Sequence, residues 1–231
     1  GSRFDKSGNG KEKLAHLILL AENNEGYQNL IKICSKAWTE GYYHRPRADH
    51  ELLEKYHEGL IVTSACVGGE VPQAILNGDM DEARKVIEFY INTFGKDNYF
   101  LEIQNHGLPE EAAVRPVLAS LAKEYGLGLV ATNDFHYTKK EDARSQEIKL
   151  CISTGKTLDD PYHFHFANDE FYCKSGDEMR AILGNFPGAI ENTRVIADRC
   201  NVELTFGEHK LPSFDVPEGE TAASYLRKLC E

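Results

Sequence analysis

Four side chains of this sequence are of the types that bind divalent metal ions, and each stands within or just after an apolar run: His16, Cys66, Asp134 and His136. Imidazole, thiolate and carboxylate suit zinc or a similar ion, which lowers the pKa of a bound water and polarises a phosphoryl oxygen. Asp134 and His136 lie two positions apart in Val130-Ala131-Thr132-Asn133-Asp134-Phe135-His136-Tyr137. An extended backbone there would send both side chains to the same side. Each residue also has a plainer reading. A lone histidine in an apolar run is ordinarily a hydrogen-bonded core residue, and a lone cysteine a small buried hydrophobe. Glu102 is a further carboxylate that could stand in or behind a metal site, or simply pair with a lysine or arginine. His106 could reach the same mouth, or be a loop histidine without chemistry. His163 and His165 imitate a ligand pair, but the interleaved Phe164 and Phe166 point to aromatic packing at a domain joint.

The elements that must position these residues follow from periodicity and punctuation. Four strands are expected: Leu14 to Ala21, Gly59 to Ser64, Tyr99 to Gln104 and Gly128 to Ala131. The first is nearly all apolar, as for a strand covered on both faces, with His16 interrupting it. Helices are expected from Glu25 to about Ala37 behind Asn23 or Asn24, around His50 to Tyr56, and near Val71 to Leu76. A long amphipathic helix from Met80 to Phe94 follows, and then one from Pro109 towards Tyr125 that Gly126 stops. The alternation predicts a parallel sheet or barrel with right-handed crossovers, and in such a fold active sites gather at the carboxyl ends of the strands. After Tyr137 the pattern turns helical: Asp142 to Thr154, a capping box Ser175-Gly176-Asp177-Glu178 leading to Leu183, a helix that starts near Pro187 and ends about Cys200, and Ala222 to Cys230. Gly1 to Glu12 reads as a loop. The pattern therefore changes near residue 140, between a sheet- or barrel-forming segment, residues 1–140, and a helical one, residues 141–231.

With 231 residues, 41% of them hydrophobic and 27% charged, the chain has the composition of a folded domain. Its net charge of -11 argues against tight nonspecific binding to a nucleic-acid backbone by this module alone, though not against a metal enzyme acting on phosphate, where cations supply the positive charge. Six cysteines without a CxxC pair fit a reducing compartment. No run approaches a membrane span and no signal pattern opens the chain, so a cytoplasmic location is expected.

Taken in order, Leu14-Ala15-His16-Leu17, Thr63-Ser64-Ala65-Cys66 with Gly69-Glu70-Val71-Pro72, and Asn133-Asp134-Phe135-His136-Tyr137 resemble successive signatures of the polymerase and histidinol phosphatase (PHP) domain. The form they resemble is the one carried by the bacterial replicative DNA polymerase III alpha subunit. Phe100-Leu101-Glu102-Ile103-Gln104, Thr157-Leu158-Asp159-Asp160-Pro161 and Arg199-Cys200-Asn201-Val202 are similar to it as well, so the resemblance covers essentially the whole chain. It implies an α/β fold, a distorted seven-stranded TIM-like barrel of (βα)7 type, incomplete here. Its mouth holds a trinuclear cluster of zinc, manganese or magnesium ions on nine ligands. His16, Cys66, Asp134 and His136 match four of those metal ligands; Glu102 and His106, on and just after the third strand, are further candidates to support them from behind. The family chemistry is a metal-dependent 3'-5' exonuclease acting on the DNA primer terminus. Partners would be that DNA, reached through the intact polymerase, and the other replicase subunits, with no membrane.

The resemblance also implies that the first three strands, and with them five ligands, should precede Gly1. The fragment alone is then expected to be inactive and prone to self-association. The residues that catalyse nucleotide addition would lie beyond Glu231. A free-standing phosphatase of the same superfamily and a noncatalytic structural module of the polymerase are the alternatives.

Overall fold

Two strands buried at every position, β2 (Leu60–Thr63) and β3 (Tyr99–Ile103), form the middle of a four-stranded sheet ordered β1-β2-β3-β4. The edges are β1 (Ile18–Ala21) and β4 (Gly128–Ala131). The computed structural model describes residues 1–7, 14–209 and 211–231. Of the loop expected over Gly1 to Glu12, residues 8–12 therefore lie outside the described residues. The part before them has no helix or strand and is docked through Arg3, which is 6% exposed and bound to Asp49.

The helices are α1 (Asn24–Thr39), α2 (His50–Lys55), α3 (Glu70–Leu76), α4 (Met80–Phe94), α5 (Pro109–Tyr125), α6 (Ala143–Thr154), α7 (Gly176–Leu183), α8 (Glu191–Arg199) and α9 (Ala222–Cys230). Their ends follow local chemistry. Asn23 caps α1 by accepting from the Gly26 N–H, Ser175 and Glu178 form the capping box of α7, and Gly126 ends α5 at φ 68°. In α4 the buried residues Ala83, Val86, Ile87, Tyr90 and Phe94 recur at helical spacing and face the sheet.

The pleat sorts the strand residues onto two faces. Leu60, Val62, Tyr99, Leu101, Ile103, Leu129 and Ala131 point into the main core with Ile33, Leu53, Val86, Val114, Leu118 and Leu183. Fully burying a side chain such as Leu101 contributes about 1.5–3 kcal/mol. The other face carries a smaller cluster, Ile61, Phe100, Val130 and Ile196, with α8 against it. By the same alternation Thr63, Glu102 and Thr132 belong to this second face, nearer the carboxyl ends of the strands.

Two expectations are corrected. β2, β3 and β4 are parallel, but β1 pairs with β2 antiparallel, Ala21 opposite Leu60 and Ile18 opposite Thr63. The reason lies in the connection: α1 carries the chain away and the segment through α2 brings it back to the end it left, where Glu22 N–H donates to the Gly59 carbonyl at 2.8 Å. That return packs the start of α1 onto the turn so closely that a Cβ on Gly26 would sit 1.8 Å from the Gly59 oxygen. The first strand is also shorter than its apolar run, is only partly covered, and leaves Ile18 43% exposed, because an edge strand has a neighbour on one side only.

Candidate metal centre

His16 lies before β1, not in it, and is exposed. A single parallel bridge to Gly69 and its N–H bond to the Gly68 carbonyl (2.9 Å) hold its backbone. Its Nδ1 is 3.3 Å from the Sγ of Cys66, which follows β2. Gly68 makes this approach possible, since a Cβ there would meet His16 Nδ1 at 3.2 Å and Cys66 Sγ at 3.5 Å. Burial pushes the Cys66 thiol above its ordinary pKa, and the carboxylates of Asp134 and Glu102 push it the same way, against the N–H of Gly68.

Asp134 and His136 are both exposed, with Nε2 to Oδ1 at 3.5 Å. The extended backbone expected between them is not found: Asp134 has φ 39°, in the left-handed region. Ala65, immediately before Cys66, has φ 59°. Two of the three non-glycine residues with positive φ among the described residues thus sit at or beside candidate ligands, a placement typical of functional loops. The His136 ring packs on Phe166 (4.7 Å between centroids), and the backbone N–H of His136 donates to the Phe171 carbonyl at 2.8 Å.

Glu102 is 5% exposed and pairs with no cation among the described residues. Its carboxylate accepts from the Thr63 and Thr132 hydroxyls and from Gln104 Nε2 (2.9 Å), while its own N–H donates to Ser64 Oγ at 2.8 Å. It also lines, with Cys66 and Glu111, a cavity of about 10 Å³, which is the space of one water. His106 lies in the loop after β3, is 1% exposed and is joined to Glu111. The rings of His163 and His165 lie 5.4 Å apart between centroids, His163 Nε2 reaches Glu147 at 2.8 Å, and Phe166 packs against His136 and Phe171.

Several participants were not legible as such in the sequence. Glu111 stands in the first turn of α5, where an acid is unremarkable, and only its burial marks it. The hydroxyl collar of Thr63 and Thr132 depends on register between strands. His50, Glu70 and Tyr90 form a further network, with Tyr90 OH donating to Glu70 at 2.7 Å and His50 Nε2 3.0 Å from the same carboxylate. The Glu70 carboxyl is held below its ordinary pKa: burial opposes this, and the bonds from His50 and Tyr90 outweigh it. These residues line, with His16, an open groove of about 710 Å³.

The donor chemistry fits a divalent ion, with a borderline-soft His–Cys pair beside a harder Asp–His pair. The number of donors brought together does not complete a centre: among the described residues no group of three or more His, Cys, Asp or Glu side chains could hold a metal ion. The candidate donors meet in two pairs, His16 with Cys66 and Asp134 with His136.

The PHP domain family matches residues 2–106. A DNA polymerase III subunit alpha of Thermus aquaticus is 48% identical over 99% of this chain and 19% of its own length. The corresponding subunit of Treponema pallidum is 44% identical over 99% of this chain and 20% of its own length, and that of Helicobacter pylori strain 26695 is 38% identical over 84% and 17%. The chain spans about a fifth of the length of the curated relatives it matches.

Proposed function

The chain belongs to the PHP-domain family in the form found in DNA polymerase III alpha subunits, and from that premise we propose that it is the part of a replicative DNA-directed DNA polymerase that carries metal-dependent phosphoesterase chemistry. In the whole protein that chemistry would be 3'-5' exonuclease action on a primer terminus, with DNA and the other replicase subunits as partners. The observation that carries the reading is the His16–Cys66 pair, 3.3 Å apart beside a glycine. His16, Cys66, Asp134 and His136 are the residues that would hold metal. A bound divalent ion would supply an activated water and a Lewis acid for a phosphodiester oxygen.

The sheet is read as part of a TIM-like barrel, with the face bearing Thr63, Glu102 and Thr132 turned inward. Support comes from the parallel β2–β4 and from the placement of Cys66, Asp134 and His136 just beyond strand carboxyl ends. Residues 1–140 would be barrel, and residues 141–231 the following helices and a lead into the next domain. The packing of α7 and α8 on the sheet and the absence of buried residues in α9 agree with a transition within the second segment. The described helices include none long and apolar enough to cross a membrane, and the proposed location is the cytoplasm.

For the isolated chain the reading is a noncatalytic module; among the described residues its donors converge only in pairs. Metal analysis after extensive dialysis, with a nuclease assay on single-stranded DNA, tests this. Fewer than two retained metals per chain and no cleavage are expected. Two or more tightly held metals, with cleavage that Asp134→Ala abolishes, would overturn it.

A further inference from the structure

Glu111 and His106 stand outside the four candidate ligands, yet they are 2% and 1% exposed, among the most buried charged groups of the molecule. The His106 ring faces an acceptor at each nitrogen: Nδ1 is 2.6 Å from Glu111 Oε1, and Nε2 is 2.6 Å from the Asn133 carbonyl oxygen. A neutral imidazole has one N–H and would set a lone pair against one of these acceptors. A ring bonded at both nitrogens carries both protons, and its charge lies against the Glu111 carboxylate. Glu111 also accepts from the backbone N–H of His106 (2.6 Å), so its two oxygens grip one residue. The remaining charged group that acts on the ring is Lys174, whose ammonium is engaged by Glu170 at 3.4 Å.

The Asn133 carbonyl belongs to the peptide that leads into Asp134, the residue with φ 39°. Fixing that carbonyl fixes the peptide plane from which the left-handed turn departs. The rest of the loop hangs on the same support. Phe171 stacks on the His106 ring (4.4 Å, 3° between planes), and its carbonyl accepts from His136 N–H. Asn133 Nδ2 donates to the Tyr172 carbonyl at 3.1 Å.

We propose that the Glu111–His106 ion pair is a positioning device, in which the charge of Glu111, delivered from the first turn of α5, keeps both ring nitrogens protonated so that Nε2 holds the Asn133 carbonyl and aims Asp134 and His136. Both are positioning residues, acting through Asn133. The inference takes the importance of Asp134 and His136 from the proposed function, but its test needs no metal and no activity, so the two readings fail separately.

The test is nuclear magnetic resonance on the whole chain, labelled with ¹³C and ¹⁵N and free of metal at neutral pH. The expected result is a proton on each His106 ring nitrogen and a through-hydrogen-bond coupling from Nε2 to the Asn133 carbonyl carbon. In Glu111→Gln the ring should retain a single proton. The His136 and Tyr137 amides, both bonded to the Phe171 carbonyl, should exchange with solvent at least about tenfold faster, while Leu101 and Val130 exchange as before. Glu111→Asp, which keeps the charge, should restore part of the protection. A singly protonated ring in the unaltered chain would overturn the proposal even if no variant folds. Unchanged loop exchange in Glu111→Gln would overturn it too, as would equal acceleration at Leu101 and Val130, which would make the pair a general stability element.

Discussion

The hydroxyl collar around Glu102 makes a quantitative claim. A carboxyl group that is 5% exposed is costly to bury unless it is hydrogen-bonded, and here its donors are two threonine hydroxyls and one amide. Replacing Thr63 by valine keeps the shape and removes one donor. A hydrogen bond to a charged group contributes about 1.5–3 kcal/mol, so Thr63→Val should cost about 2 kcal/mol, and Thr132→Val a similar amount. The pair should not add. With one hydroxyl gone the carboxylate keeps two donors; with both gone it has only Gln104, and the double variant should exceed the sum of the singles by about 1 kcal/mol. Urea unfolding at neutral pH measures this as a shift of midpoint at constant slope, and each single variant should lose roughly 4–8 °C in thermal midpoint. Single costs under about 0.5 kcal/mol, or strict additivity, would refute the claim that these hydroxyls hold Glu102.

Asp49 caps α2 through the Leu52 N–H and binds the buried guanidinium and N–H of Arg3, so Asp49→Ala should destabilise the chain by about 3 kcal/mol at neutral pH in urea unfolding. Against the cost of burial, the N–H groups of Arg3 and Leu52 and the Arg3 guanidinium hold the Asp49 carboxyl below its ordinary pKa. Its contribution is therefore full above the unfolded value of about 3.9 and lost as pH falls through the lower folded value. The gap between variant and parent should be flat above about pH 4 and shrink below it. Gly26→Ala would press a Cβ to 1.8 Å from the Gly59 carbonyl oxygen, backbone that cannot rotate away; a loss of about 3 kcal/mol or more is expected from the same unfolding measurement.

Local chemistry in the sequence determines most of the elements. Asn23, Pro109, Gly126 and the Ser175–Glu178 box set helix ends that the structure reproduces, because caps and stops act within one turn of chain. The three parallel strands and the presence of His16, Cys66, Asp134 and His136 near strand ends were legible for the same reason: apolar runs and residue types are written locally. Tertiary structure decided the rest. That β1 is antiparallel depends on where two helices return the chain, and that Glu102 is held by Thr63 and Thr132 depends on register across three strands. The bend at Asp134 follows from an imidazole twenty-eight positions earlier, itself charged by a carboxylate on α5. Contacts at such separations leave no period in the sequence, since a hydrogen bond between distant residues constrains their types only after the fold has brought them together.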